Sequence, residues 1–195
     1  MLQGTILRLR LGGPKDPRPI LRGCSQTERR PDSHISFQPS HAFPLRTKTY
    51  EIWSDASIDE GGCGTGVGLL FETNQLTHTS VVFAGLSTCS YRGESLAVEK
   101  SLSDLLARFT RYPPSKKKRH KILLFTDSCG LTEIRIWRFL LQILKFGVSC
   151  HIQFIYSHCG IDRNEMADAR AKEMNEAYRR NHPDLGERCV SSTAS

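Results

Sequence analysis

The chain has 195 residues, enough for one ordinary domain and an appended segment. A mean hydropathy of −0.36 and a longest apolar stretch, Ile134 to Leu144, broken by Arg135, Arg138 and Gln142, exclude a membrane-spanning helix, which needs ~18 continuous apolar residues. The net charge of +7 is uneven: residues 1–47 hold eight Lys and Arg against three Asp and Glu, and residues 48–195 hold 19 against 17.

A basic segment beside a nearly balanced domain favours a polyanionic partner, nucleic acid first, because each neutralised phosphate releases condensed counterions. The bland alternative is a leader that only confers solubility. Residues 1–47 also carry six of the nine prolines, a composition that buries too little apolar surface to offset its ordering entropy. They are expected to be a disordered leader. Leu2–Leu11 alternates apolar with basic residues and lacks acids, which fits a transit peptide or the remnant of a larger polyprotein.

From residue 48 the pattern changes. Tyr50–Asp55 is β-branched and aromatic, Gly61-Gly62 marks a turn, and Gly66–Phe71 and Thr77–Phe83 read as the second and third strands of an antiparallel meander. Ser90 stands where a helix N-cap would, ahead of Val98, Leu102, Leu105, Leu106 and Phe109 on one helical face, and Pro113-Pro114 ends that helix. After the basic run Lys116–Lys121, the apolar Ile122–Asp127 predicts a strand buried on both faces. A helix over Glu133–Lys145 follows, with Gly147 as its stop, then a strand over His151–Tyr156 and a last helix over Asn164–Arg179. The order is βββαβαβα, with a helical crossover that makes the last two strands parallel. Residues 48–180 are expected to form the domain and 181–195 a flexible tail.

Seven cysteines stand singly with no C-x-x-C pair, so neither a disulfide framework nor a zinc knuckle is indicated. Cys150, His151, His158 and Cys159 lie close in sequence but fall on one strand and its loop, and read as core and loop residues rather than zinc ligands. A reducing intracellular compartment fits this usage, with nucleus and mitochondrion both open.

Four carboxylates fall where side chains of this layout can converge: Asp55 on the first strand, Glu94 in the first helix, Asp127 at the end of the fourth strand and Asp168 early in the last helix. Strand ends beside helix N-termini are where ligands collect in an α/β sheet. Taken singly, each acid is as well explained as a solvated or capping residue. Asp55 and Asp127, however, adjoin apolar runs where an unpaired carboxylate is costly. Gathered, the four require cations. Hard oxygen donors suit Mg²⁺ or Mn²⁺, and two such ions can activate water and stabilise a leaving oxygen in phosphodiester hydrolysis.

The segments Ile52–Ser57, Ser90–Ala97, Leu124–Ser128 and Ser157–Asp168 resemble, in order, the four catalytic blocks of type 1 RNase H. The last, H-x-G-I-x-x-N-E-x-A-D, is similar to the RNase H domain of non-LTR, LINE-like retrotransposons, with features associated with trypanosomatid elements. The resemblance covers about Thr49 to Tyr178. It implies an α/β RNase H-like fold: a five-stranded mixed sheet of order 3-2-1-4-5, strand 2 antiparallel, with flanking helices. It further implies cleavage of the RNA strand of an RNA–DNA hybrid with two Mg²⁺ ions, for which Mn²⁺ may substitute, leaving a 3′-hydroxyl and a 5′-phosphate. Asp55 would bridge both ions, Glu94 and Asp127 would share one, Asp168 would hold the other, and His158 would assist proton transfer or product release. Asn164 would cap the last helix, and Glu165 would favour its dipole. Other retrotransposon-encoded domains are implied as partners, and no stable oligomer is expected. Three departures from the family pattern stand out. The crossover after Asp127 has room for one helix, the basic handle that some members use to grip hybrid is missing, and Arg163 stands where glycine is common. A catalytically silent nucleic-acid-binding domain from a decayed element is the alternative reading.

Overall fold

The computed structural model describes residues 6–11, 19–23, 47–116, 118–127, 134–155 and 160–182. Its strands are β1 (Ile6–Leu11), β2 (Pro19–Gly23), β3 (Thr47–Ile58), β4 (Gly64–Glu72), β5 (Gln75–Gly85), β6 (Arg119–Thr126) and β7 (Ser149–Phe154). The helices are α1 (Ser90–Arg111), α2 (Ile134–Leu144) and α3 (Asp162–Asn181). One sheet holds all seven strands in the order β2-β1-β7-β6-β3-β4-β5. β3, β4 and β5 form the antiparallel meander, while β6 runs parallel to β3 and β7 parallel to β6. From β3 onward the element order is βββαβαβα and the five strands stand in the order 3-2-1-4-5, as an RNase H-like α/β fold requires. Among the described residues one helix, α2, lies between β6 and β7, in keeping with the short crossover the sequence predicts. No helix among the described residues is long and apolar enough to cross a membrane.

The sheet is wider than the five strands expected, and the difference lies in the supposed leader. β1 pairs antiparallel with β7 through Ile6↔Gln153 to Leu9↔Cys150, and β2 pairs antiparallel with β1. Composition averaged over 47 residues predicts disorder, but the short run Ile6–Leu11 alternates apolar and basic residues with the period of a strand. The edge of β7 would otherwise present a row of unpaired backbone groups. A locally strand-like hairpin satisfies them. Within residues 1–47, Ile6–Leu11 and Pro19–Gly23 are strands of the sheet.

Strand alternation sorts the core into two layers. Ile52, Ile122, Leu124, Cys150 and Ile152 face α1 and α2, packing with Val98, Leu102, Leu105, Phe109, Ile136, Leu140 and Ile143. The intervening residues Trp53, Leu69, Phe71 and Phe125 lie with Ala167 and Ala171 of α3 on the opposite face. Trp53 and Phe125, opposite each other in the parallel register, stack with ring centroids 4.0 Å apart and planes 12° from parallel. Such pairs contribute ~0.5–1.5 kcal/mol beyond area burial.

Local boundaries shift where backbone geometry outweighs side-chain preference. The N-cap of α1 is Cys89, without a side-chain cap, and not Ser90. That of α3 is Ile161, so Asn164 is not its cap but a buried residue inside the first helical turns. Gly160, with φ of +70°, turns the chain into α3 three residues earlier than a cap at Asn164 would. Gly147 does end the turn after α2, with φ of +75° and its N–H bonded to the Leu144 carbonyl at 3.0 Å. Arg119–Lys121 begin β6, and His120 is buried with its ring stacked on Tyr50 at 5.9 Å and Nε2 3.1 Å from the Ser115 carbonyl.

Helix α1 is seated by missing side chains. A Cβ on Gly66 of β4 would collide with the Gly93 carbonyl oxygen and meet the Ala97 Cβ at 3.0 Å, and a Cβ on Gly93 would press on Ala56 at 2.6 Å. Because the obstacle at Gly66 is backbone, only displacement of the helix could relieve it. Gly66→Ala should therefore lower stability by ~1–3 kcal/mol, the usual cost of overpacking. Urea denaturation would measure this, and an unchanged midpoint would show that α1 is not held against β4 at this point.

Candidate active site

The seating of α1 brings Glu94, its fifth residue, to the sheet. There Asp55 of β3, Glu94 and Asp127, immediately after β6, each offer a carboxylate oxygen within 4.8 Å of the others. Asp55 is buried, while Glu94 and Asp127 are half-buried. At an effective dielectric of ~20, like charges this close repel by ~3–4 kcal/mol per pair. The strain appears in Asp55, whose carboxyl is pushed up to about 7, first by burial and then by Asp127, with smaller contributions from Asp168 and Glu94. The Ala56 N–H, 2.7 Å from Oδ1, opposes that shift but does not cancel it.

Asp168 stands near enough for its charge to act on Asp55, but it is outside the cluster of three. Its carboxylate accepts a hydrogen bond from Lys172 Nζ at 2.6 Å, one helical turn on. A cation that recruited Asp168 would compete with this lysine. His158 lies outside the described residues. Glu165 is in the first turn of α3 with Asp162, where negative charge meets the positive end of the helix dipole. Hard carboxylate oxygens, one of them driven towards its neutral form by burial and then by its neighbours, suit a divalent cation of the Mg²⁺ or Mn²⁺ type.

Arg163 is the residue whose role sequence reasoning missed. It stood out there only as a departure from glycine. In the structure its guanidinium ion-pairs with Glu51 of β3, donates to Asn74 Oδ1 at 2.9 Å in the β4–β5 turn, and lies 4.4 Å from the centroid of Phe71. It thus ties the first turn of α3, five residues before Asp168, to three places on the sheet. Charge periodicity could not reveal this, because Glu51 is 112 residues away in sequence. Lys172, by contrast, is legible as an i, i+4 partner of Asp168.

No family model matches the chain, and no curated protein does. Among solved structures the chain is similar to LC11-RNase H1, isolated from compost by a metagenomic approach, with a TM-score of 0.46 and 13% identity. That alignment covers 67% of this chain and 97% of the other.

Two outcomes follow from the geometry. Arg163→Ala should cost ~2–3 kcal/mol, since it strands a largely buried Glu51 and removes a cation–π contact. Arg163→Lys should recover only part, because a lysine cannot reproduce the planar fork; full recovery in thermal melts would contradict the three-way attachment. The pH dependence has a definite sign as well. The folded pKa of Asp55, about 7, lies above its ordinary 3.8, so its stabilising contribution is complete below about pH 4 and is lost as pH rises to 7. In EDTA, the wild type should melt lower at pH 8 than at pH 5, by at most ~3 kcal/mol of stability, since about two pH units of the shift fall in that interval. Asp55→Asn should flatten the difference, and a wild-type profile rising over that interval would refute the assignment.

Proposed function

We propose that this chain is a metal-dependent ribonuclease H that hydrolyses the RNA strand of RNA–DNA hybrids, derived from a non-LTR retrotransposon. The observation that carries the reading is the meeting of Asp55, Glu94 and Asp127 within 4.8 Å, from three segments whose sequences resemble the type 1 RNase H blocks in the same order. Support comes also from the 3-2-1-4-5 order of β3–β7, which places β3 and β6 side by side and so brings Asp55 next to Asp127.

Asp55, Glu94 and Asp127 would hold divalent cations, Mg²⁺ by preference, with Asp168 contributing after exchange from Lys172. When bound, such ions supply Lewis-acid activation of a water and stabilise the leaving oxygen. The protein's part is positional. Asp55, fixed by the Ala56 N–H and by burial, is the central ligand, and Glu94 and Asp127 flank it. α3 carries Asp168 alongside, held to the sheet by Arg163. His158, at the head of the fourth block, would take part in proton transfer. The 2′-hydroxyl and the groove shape of the hybrid would direct cutting to RNA.

A silent nucleic-acid-binding domain is the competing reading, and the observation on its side is the pairing of Asp168 with Lys172 outside the cluster. Turnover decides between them. With Mg²⁺, the full chain should cleave the RNA strand of a labelled hybrid and leave double-stranded DNA intact. Asp127→Asn should reduce the rate by more than ~100-fold, beyond the ~10–100-fold typical for loss of an outer-shell partner. Mg²⁺ should raise the melting temperature of the wild type but not of Asp55→Asn. Equal cutting of both substrates would overturn the substrate assignment, and hybrid binding without cleavage would establish the silent alternative.

A further inference from the structure

Among the described residues, the end of the molecule away from the acidic cluster is basic. α1 finishes there with Arg111 and Tyr112, and the turn into β6 brings Lys116, Lys118 and Arg119 back to the same end. Aromatic contacts hold these segments together. Tyr50 meets Phe109 of α1 edge-on with centroids 5.1 Å apart, and stacks on His120 of β6 at 5.9 Å. Phe146 packs against Phe109 at 5.8 Å, which brings Lys145 alongside. Arg111, Lys116, Lys118, Arg119 and Lys145 are all exposed. The stretches Leu105–Lys121 and Leu141–His151 contain no Asp or Glu. A carboxylate that does reach this end, Glu72, is buried and ion-paired with Lys48 at 2.5 Å and with Arg108. Its charge is therefore already met, and the exposed cations make a field that attracts a polyanion.

Tyr112 adds what a solvated run of charge lacks. It stands at the C-cap of α1 with 64% of its surface exposed, its backbone N–H bonded to the Arg108 carbonyl at 2.7 Å. Pro113 and Pro114 stiffen the chain directly after it. The Arg111 guanidinium lies 5.3 Å from the centroid of its ring. An exposed ring among cations is the combination that holds single-stranded nucleic acid, because phosphates meet Lys and Arg while a base stacks on the ring. Bases inside a duplex are already stacked and cannot use it. The surface is also remote from the acids. Tyr112 is 18 residues beyond Glu94 on α1, ~27 Å at 1.5 Å per residue, and Arg119 precedes Asp127 by a similar length of extended strand.

We propose that this basic end, with Tyr112 as its stacking ring, is a binding site for single-stranded nucleic acid, separate from the acidic cluster. Arg111, Lys116, Lys118, Arg119 and Lys145 contact its phosphates. The inference goes beyond the nuclease reading and uses none of its residues, so its test needs no cleavage.

A fluorescein-labelled single-stranded RNA of ~12 nucleotides would be titrated with the full chain in EDTA and followed by anisotropy across ~50–200 mM salt. Tyr112→Ala should weaken its binding ~5-fold or more, as expected for loss of one stacked base, and leave binding of double-stranded DNA unchanged. Tyr112→Trp should retain wild-type affinity, which separates stacking from any effect on the end of α1. Lys116→Gln/Lys118→Gln/Arg119→Gln should make the slope of log K against log[salt] shallower by about two, near 0.7 per lost phosphate contact. Arg135→Gln/Arg138→Gln, which neutralises exposed positions on α2, should leave that slope as it is. Wild-type affinity in Tyr112→Ala, an equal loss of duplex binding in that variant, or an unaltered slope in the triple variant would each overturn the proposal. So would binding to phosphatidylserine vesicles without binding to the oligonucleotide, which would assign this end to a membrane surface. A chain that leaves hybrid uncut but shows these effects would sink the nuclease reading and keep this site. Cleavage of hybrid with no effect of Tyr112→Ala would do the reverse.

Discussion

Three carboxylate oxygens held within 4.8 Å beside an apolar sheet oppose folding, and the arrangement around them is organised by that repulsion. Water cannot fully screen Asp55, which is buried, and the charge of Asp127 acts on it across adjacent parallel strands. One response is protonation, which the upward shift of Asp55 expresses. The other is a cation, which removes the repulsion without neutralising the ligands. A site poised between these responses has the electrostatic character expected of a divalent metal centre.

The scaffold holds the cluster with contacts that do not involve it. Glycines in β4 and α1 allow backbone approach at a distance no side chain would permit, and this approach sets the position of Glu94. On the other face, the Trp53–Phe125 stack locks β3 to β6 just before Asp55 and Asp127. Arg163 then joins α3 to β3 and the β4–β5 turn. Each acid is therefore carried on an element whose own packing is satisfied, so the repulsion is confined to the side chains.

The width of the sheet is set by the same topology. Edge strand β7 is the boundary of the five-stranded unit, and β1 converts that boundary into an interior strand. β1 and β2 thereby extend the sheet.

Local information was sufficient for much of this. Period-two runs such as Tyr50–Asp55 and Ile122–Asp127, apolar faces such as Val98–Leu102–Leu105–Phe109, and the turn glycines Gly62 and Gly147 are readable because strands and helices impose short repeats on side-chain direction. From these came the βββαβαβα order, and the ordered blocks pointed to the strand order and to Asp55, Glu94, Asp127 and Asp168 as candidate ligands. Tertiary structure decided what depends on partners remote in sequence. Arg163 acquires its role from Glu51 and Asn74, which no periodicity links to it. Asp168 lies outside the cluster of three, and Lys172 holds its carboxylate. Strands β1 and β2 were hidden by the averaged composition of their surroundings and take their place from the open edge of β7. Short-range stereochemistry is written in adjacent residues, whereas ion pairs, edge pairing and the distance between carboxylates depend on how the chain returns to itself.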